Sequence, residues 1–140
     1  MHQAFHKAGE PMHVFAGDIW VVPDRLLTFG DIDSSRRTVH DMRYVLVLQG
    51  DDVGSNHRCS TILVALMSSN IDEKRVWEDR LEPTESGRSR PSIVKLQLLQ
   101  PVPRAVLLND GEYVHNIPAA ALQRIRAHLL INLGIDLETV

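Results

Sequence analysis

Arg43 and the pair Ser68-Ser69 are the side chains whose types and positions could together do chemistry in this sequence. Arg43 opens an apolar run, RYVLVLQ, and the serines close another, STILVALMSS, with the turn-forming stretch GDDVGSNHR between them. If Val45 to Leu48 pairs antiparallel with Ile62 to Ala65, the start of the first strand lies beside the end of the second. A permanent cation and neutral hydroxyl donors then share one rim, a combination able to hold an anion. Taken alone, each has a plainer reading: an arginine at a strand start is a solvated cap, and serines at a strand end form a turn.

Other candidate groups are weaker. His2 and His6 are four residues apart and could bind a metal on a helix, but the arm that carries them has no helical period, and stray histidines at a terminus are the simpler reading. Asp51-Asp52 in GDDVGSN reads as a turn closed through side chain to backbone bonds. Cys59 follows His57 and Arg58, yet it stands at a strand entrance, where a lone cysteine is usually a small apolar filler. No glycine-rich phosphate loop, zinc-type spacing or calcium loop is present.

The elements that must position the candidate rim are strands. The chain has 140 residues, 44% of them hydrophobic, which suits one domain with a real core. Residues 1–13 read as an irregular arm and 14–140 as the domain. VFAGDIWVV has the β-branched and aromatic content of a strand, with Gly17-Asp18 as a turn or bulge near its start and Pro23-Asp24 at its end. Arg25 to Met42 is a long irregular connection, of the kind that is usually functional or disordered. RYVLVLQ and STILVALMSS read as strands buried on both faces. VWEDRLEP, SIVKLQLLQ and RAVLL supply further strands, TESGRSRP a polar loop, and Asn109-Asp110-Gly111 a turn. The tail changes period: Leu122, Ile125, Leu129 and Leu133 fall on one helical face, with Asn116 or Ile117-Pro118 at its start and Gly134 at its stop. The expected fold is mainly β, a small antiparallel barrel closed by a C-terminal α-helix.

A formal charge of -3 does not suggest a protein that coats nucleic acid, although net charge is blind to a local basic groove. The single cysteine allows no internal disulfide, and no apolar run is long enough for a signal peptide or a membrane span. A soluble, cytoplasmic protein without a cofactor is expected.

The order of these segments resembles the MazF/PemK-like toxins of bacterial toxin-antitoxin systems. GDIWVV looks like the family's opening G-[DE]-[IV]-[WY] strand, and RYVLVLQGDDVGSN like its R-P-V-[LV]-V-[IL]-x-[ND] strand and turn. STILVALMSS is similar to the strand ending in P-[IL]-[TS]-[ST], IVKLQLLQ to the strand that ends in a glutamine before an arginine, and ALQRIRAHLLINLGI to the closing helix. The resemblance implies an SH3-like barrel, usually a homodimer, that cuts single-stranded RNA without a metal and is held by a cognate antitoxin. By position, Arg43 matches the family's catalytic arginine and Ser68 its catalytic threonine or serine, with Ser69 beside the substrate.

A guanidinium and a hydroxyl suit the charge that builds on a phosphate in an in-line displacement. Arginine is a poor proton donor at neutral pH, so His40, three residues before Arg43, is the candidate acid or base. Arg36 and Arg37 lie in the long connection, which would cover the site and contact RNA. Three departures from the family pattern stand out. Tyr44 replaces the usual proline and offers a ring for a base to stack on. QPVPR lengthens the step from Gln100 to Arg104, the pair expected to bind substrate, and the 25–42 connection is longer than is common. The alternative is a non-catalytic binding module on the same barrel, or a weakened or repurposed homologue of these toxins. A gyrase poison on a similar barrel is disfavoured, because GIDLETV shows no resemblance to that family's active tail.

Overall fold

The computed structural model describes residues 13–29 and 41–136. The apolar runs become strands β1 (Asp18–Pro23), β2 (Met42–Val47), β3 (Thr61–Ser68), β4 (Asp79–Leu81), β5 (Ser92–Pro103) and β6 (Glu112–Asn116). They form one curled antiparallel sheet in the order β4-β5-β3-β2-β1-β6. Short helices α1 (Asp51–Gly54), α2 (Pro83–Ser86) and α3 (Arg104–Asp110) punctuate the connections, and α4 (Ala119–Asn132) follows the last strand.

Side chains alternate across a strand, so each central strand feeds two cores. Trp20, Val22, Val45, Val47, Val64 and Leu66 meet Leu27, Leu98, Val102 and Leu107 on one side of the sheet. Ile19, Leu46, Ala65 and Met67 face the other side, where Ile117, Ala121 and Ile125 cover them. This two-sided burial explains why β2 and β3 are continuously apolar. Fully burying a residue the size of Leu46 or Ile62 stabilises the fold by about 1.5–3 kcal/mol.

The C-terminal helix forms as its period indicates, with Leu122 and Leu129 half-buried beside Ile125. Leu133, by contrast, caps the helix and stands exposed before Gly134, whose φ of +80° ends the run. TESGRSRP is not wholly loop. Glu82 and Glu85 make a capping box around Pro83, which winds one turn of helix up to Gly87 at φ +71°.

RAVLL is a helix and not a strand. Pro101 and Pro103 continue β5, pairing with Leu63 and Thr61, and Pro103 then caps α3, which buries Leu107 against the core. The final strand lies one turn later, where Glu112 to Asn116 pairs with β1. Of VWEDRLEP, only Asp79–Leu81 joins the sheet. Residues 1–12 of the expected arm, including His2 and His6, lie outside the described residues, as do 30–40 of the long connection. No helix among the described residues is long and apolar enough to cross a membrane.

Candidate active site

The two strands of the central hairpin pair as Val45 with Leu66, Leu46 with Ala65 and Val47 with Val64. Carried two residues outward, this register sets Arg43 opposite Ser68. Alternation puts both on the side of the sheet that Val45 and Leu66 face. The remaining strands fix the rim from each side: Arg43 lies across from Val22 in β1, and Ser68 across from Ile93 in β5.

A carboxylate missed in the sequence holds the arginine. Pro23 ends β1 and directs the chain into a short 3-10 turn that starts at Asp24. Asp24 is buried, and its Oδ2 accepts a hydrogen bond of 2.8 Å from Arg43 Nε. The Asp24 N–H donates to the Asp41 carbonyl at 3.0 Å, which ties the turn to the entrance of β2. The guanidinium carbon lies 4.9 Å from the Phe29 ring centroid, within cation–π range. Burial lowers the Arg43 pKa from its ordinary value, but an arginine starts high enough to stay a cation. A fork fixed through Nε has a defined plane, the prerequisite for directed contact with an oxyanion. The signal in the sequence was an aspartate directly after a strand-ending proline, which reads equally well as a turn.

Ser68 ends β3, and its Oγ accepts a hydrogen bond of 3.2 Å from the Asn70 N–H, turning the chain away. Ser69 is exposed in that turn, where its carbonyl accepts from the Ile71 N–H. Beyond Ser68 opens a cavity of about 520 Å³, lined by Ser68, Asn70, Arg75, Trp77, Glu78, Lys95 and Gln97 among others. Lys95 pairs with Leu66 across the sheet, so it shares the face of Ser68. Glu78 is buried, and its carboxylate accepts bonds from Arg75 N–H at 2.8 Å and from Gln97 Nε2 at 2.7 Å.

Several expected site residues sit elsewhere. Gln100 is buried and bonded to the chain: its Oε1 accepts from Thr28 N–H at 2.9 Å, and its Nε2 donates to the carbonyls of Thr28 and Leu98. It therefore tethers the segment that carries Phe29, whose ring lies by the Arg43 guanidinium. Arg104 belongs to the opposite end of β3, where its N–H bonds the Ser60 carbonyl, roughly 25 Å along the strand from Ser68. Its Nε donates to the Cys59 carbonyl at 2.8 Å and its Nη2 to that of Asn56 at 3.1 Å. Pro101 and Pro103 carry β5 up to it. Tyr44 points to the helix-covered face, away from Arg43, and the Arg88 guanidinium sits 3.8 Å from its ring centroid. That cation covers one face of the ring. His40, Arg36 and Arg37 lie outside the described residues.

Asp51, at the start of α1, accepts a 2.6 Å bond from the Ala16 N–H, so its side chain ties this connection to the residues before β1 and does not close a turn of its own. Cys59 is half-buried at the Arg104 end, its thiol 3.3 Å from the Thr61 carbonyl. Among the described residues, no three His, Cys, Asp or Glu side chains gather as a metal site requires.

A small curled antiparallel sheet with a closing helix defines an SH3-like barrel, and this one carries an arginine bonded to a buried carboxylate at one rim. The profile of the PemK-like, MazF-like toxins of type II toxin-antitoxin systems matches residues 16–133, and the chain belongs to that family of endoribonuclease toxins. Solved structures agree on the fold. The MazE–MazF complex from Deinococcus radiodurans is 19% identical, with 90% of this chain and 100% of that one covered and a TM-score of 0.62. The Mycobacterium tuberculosis toxin MazF-mt6 is 17% identical over 69% of this chain and 90% of its own, with a TM-score of 0.56. A mycobacterial endoribonuclease in complex with its cognate antitoxin is 10% identical over 88% and 95%, at a TM-score of 0.59. No curated protein matches the sequence.

Proposed function

We propose that this protein is a metal-independent endoribonuclease that cuts single-stranded RNA to 2′,3′-cyclic phosphate and 5′-hydroxyl ends. The observation that carries this reading is the β2–β3 register, which aligns Arg43 with Ser68 while Asp24 orients the guanidinium. In the reaction the ribose 2′-oxygen bonds to phosphorus and gives up its proton. The 5′-oxygen departs with the bonding pair and takes a proton. Negative charge grows on the non-bridging oxygens, where Arg43 and Ser68 donate, and the guanidinium supplies the positive charge that a metal would otherwise bring. His40 is the residue to which the sequence points for proton transfer.

The partner is a cognate antitoxin whose acidic segment covers the Arg43 rim, and the active form is a cytoplasmic homodimer. Ile131 and Leu133, 60% and 62% exposed, give a second copy apolar surface to cover. The test is incubation of the purified protein with single-stranded RNA in EDTA, followed by end-group analysis. Cyclic-phosphate ends that disappear in Arg43→Ala are expected. Tight RNA binding without cleavage, unchanged by that substitution, would instead make the protein a binding module.

A further inference from the structure

The cavity beside Ser68 has a composition that a phosphate site would not have. Glu73 and Glu78 stand among Arg75 and Lys95, and Glu78 is buried, so a phosphate entering here meets carboxyl groups as well as the basic side chains. Gln97 projects from β5 into the same space, and the Glu78 carboxylate fixes its amide by accepting from Nε2 at 2.7 Å. An amide held in one orientation presents a defined pattern of donor and acceptor, which is what reads the edge of a nucleobase. Trp77, 44% exposed, forms another part of the wall. An indole in reach of a pinned amide is the pairing by which unstacked bases are held in single-stranded RNA. At about 520 Å³, the cavity falls within the range of small-ligand sites.

Two devices build this wall. Leu66 pairs with Lys95 but Ala65 pairs with Leu99, so residues 96–98 of β5 have no partner in β3. The bulge reverses the alternation: Leu96 belongs to the helix-covered core and Leu98 to the other one. Gln97 sits at the centre of that reversal and is exposed. The second device is α4. Its Asn132 Nδ2 donates to the Trp77 carbonyl at 2.8 Å, and His128 Nε2 lies 3.0 Å from the Val76 carbonyl. Arg124 also bonds the Arg80 carbonyl at 2.9 Å. The segment carrying Trp77 and Glu78 is thereby fixed on both sides of the two residues, although it is not strand.

We infer that this cavity is a base-recognition subsite: it takes the nucleobase adjoining the phosphate held at Arg43 and Ser68, with Trp77 stacking on it and Gln97, oriented by Glu78, reading its edge. The inference rests on the reading of Arg43 and Ser68 as the cleavage site. Its test combines two measurements. Wild type, Gln97→Ala and Trp77→Ala are each given a pool of randomised single-stranded RNA and their cut sites mapped. Trp77 fluorescence is followed as short RNA oligonucleotides are added to Arg43→Ala, Trp20 being buried and shielded.

Loss of preference at a single position next to the cut is expected, with the best wild-type sequence cleaved about 10–100-fold more slowly, the worth of one good base contact. RNA should also quench Trp77. Wild-type cleavage with identical cut sites and rates in both variants, or with a uniform loss across all sequences, overturns the subsite and leaves the nuclease intact. No cleavage by wild type, but quenching that Gln97→Ala abolishes, removes the nuclease reading and keeps the subsite. Neither cleavage nor quenching removes both.

Discussion

The β2–β3 hairpin has an arginine near each end, and the two are used in opposite ways. At the loop end, Arg104 closes on the carbonyls of Cys59 and Asn56, and its own N–H donates to the Ser60 carbonyl. Each of those partners is neutral backbone, so the side chain stitches a loop to a strand. At the open end, Arg43 bonds the buried Asp24 carboxylate and lies over the Phe29 ring, opposite the Ser68 that lines a polar cavity. A carboxylate orients a guanidinium and keeps its charge in a partly buried place, while backbone carbonyls use it as a clasp. The partner, more than the arginine, separates the two ends.

The sharpest way to break this contrast is to remove each arginine in turn. Arg43→Ala should lower RNA cleavage by at least about 10²–10³-fold, the usual loss for a transition-state donor, with the folded state retained by circular dichroism. Ser68→Ala should come next, at about 10²-fold, because a neutral hydroxyl is one donor among several. Arg104→Ala should leave the cleavage rate within a few-fold of wild type while costing about 1.5–3 kcal/mol of stability in denaturant titration. A large loss of cleavage in Arg104→Ala with unchanged stability would erase the distinction between the two ends.

The role given to Asp24 can be sharpened in the same way. Asp24→Asn removes the buried negative charge that Arg43 Nε bonds, and should destabilise the fold by about 3 kcal/mol as well as slow cleavage. In a double-mutant cycle with Arg43→Ala the two losses should fall well short of additive, since the pair acts as a unit. Additive losses would mean that the carboxylate does not act through the arginine.

The smallest expected effect lies far from the rim. Hydrogen bonding to Arg124 holds Glu85 below its ordinary range, and the same contact raises Arg124. A depressed carboxyl contributes stability that is present above its unfolded pKa and is lost as the pH falls through the lowered folded value. Both groups are partly exposed, so screening limits the contribution to a few tenths of a kcal/mol. The drop in melting temperature between pH 7 and pH 3 should be slightly larger in wild type than in Arg124→Ala. Equal drops would discount the clamp between α2 and α4.

Much of the fold was legible because burial on two faces leaves a strong signal. Continuous apolar runs gave β2 and β3, and a helical period gave α4 from Leu122, Ile125 and Leu129. RAVLL misled because five residues of mixed apolar type suit a strand or one turn of helix equally. The decision was made by Pro103, which caps the helix, and by Leu107, which alone needed to be buried. Glu112 to Asn116 was passed over because its alternation is slight and its pairing with β1 is long-range.

The rim itself was legible as a geometric consequence of hairpin pairing. Its supports were less so. Asp24 reads as a turn residue, and Glu78 acquires its meaning only when Gln97 arrives from another strand. Gln100 and Arg104 were expected near a ligand because of their order in the chain. Their hydrogen bonds are instead satisfied by Thr28, Leu98, Cys59 and Asn56, none of which is near them in sequence except Leu98.

The prolines at the end of β5 have one more consequence. β4 pairs only with Ser92, Ile93 and Val94, so the rest of β5 forms a boundary of the sheet among the described residues. Residues 101 and 103 have the same backbone orientation, and a proline is tolerated there only when its absent donor faces outward. A stray extended peptide docking along this border would find no N–H at either position. The fold thus protects itself against runaway strand addition with the same two residues that lead β5 into Arg104.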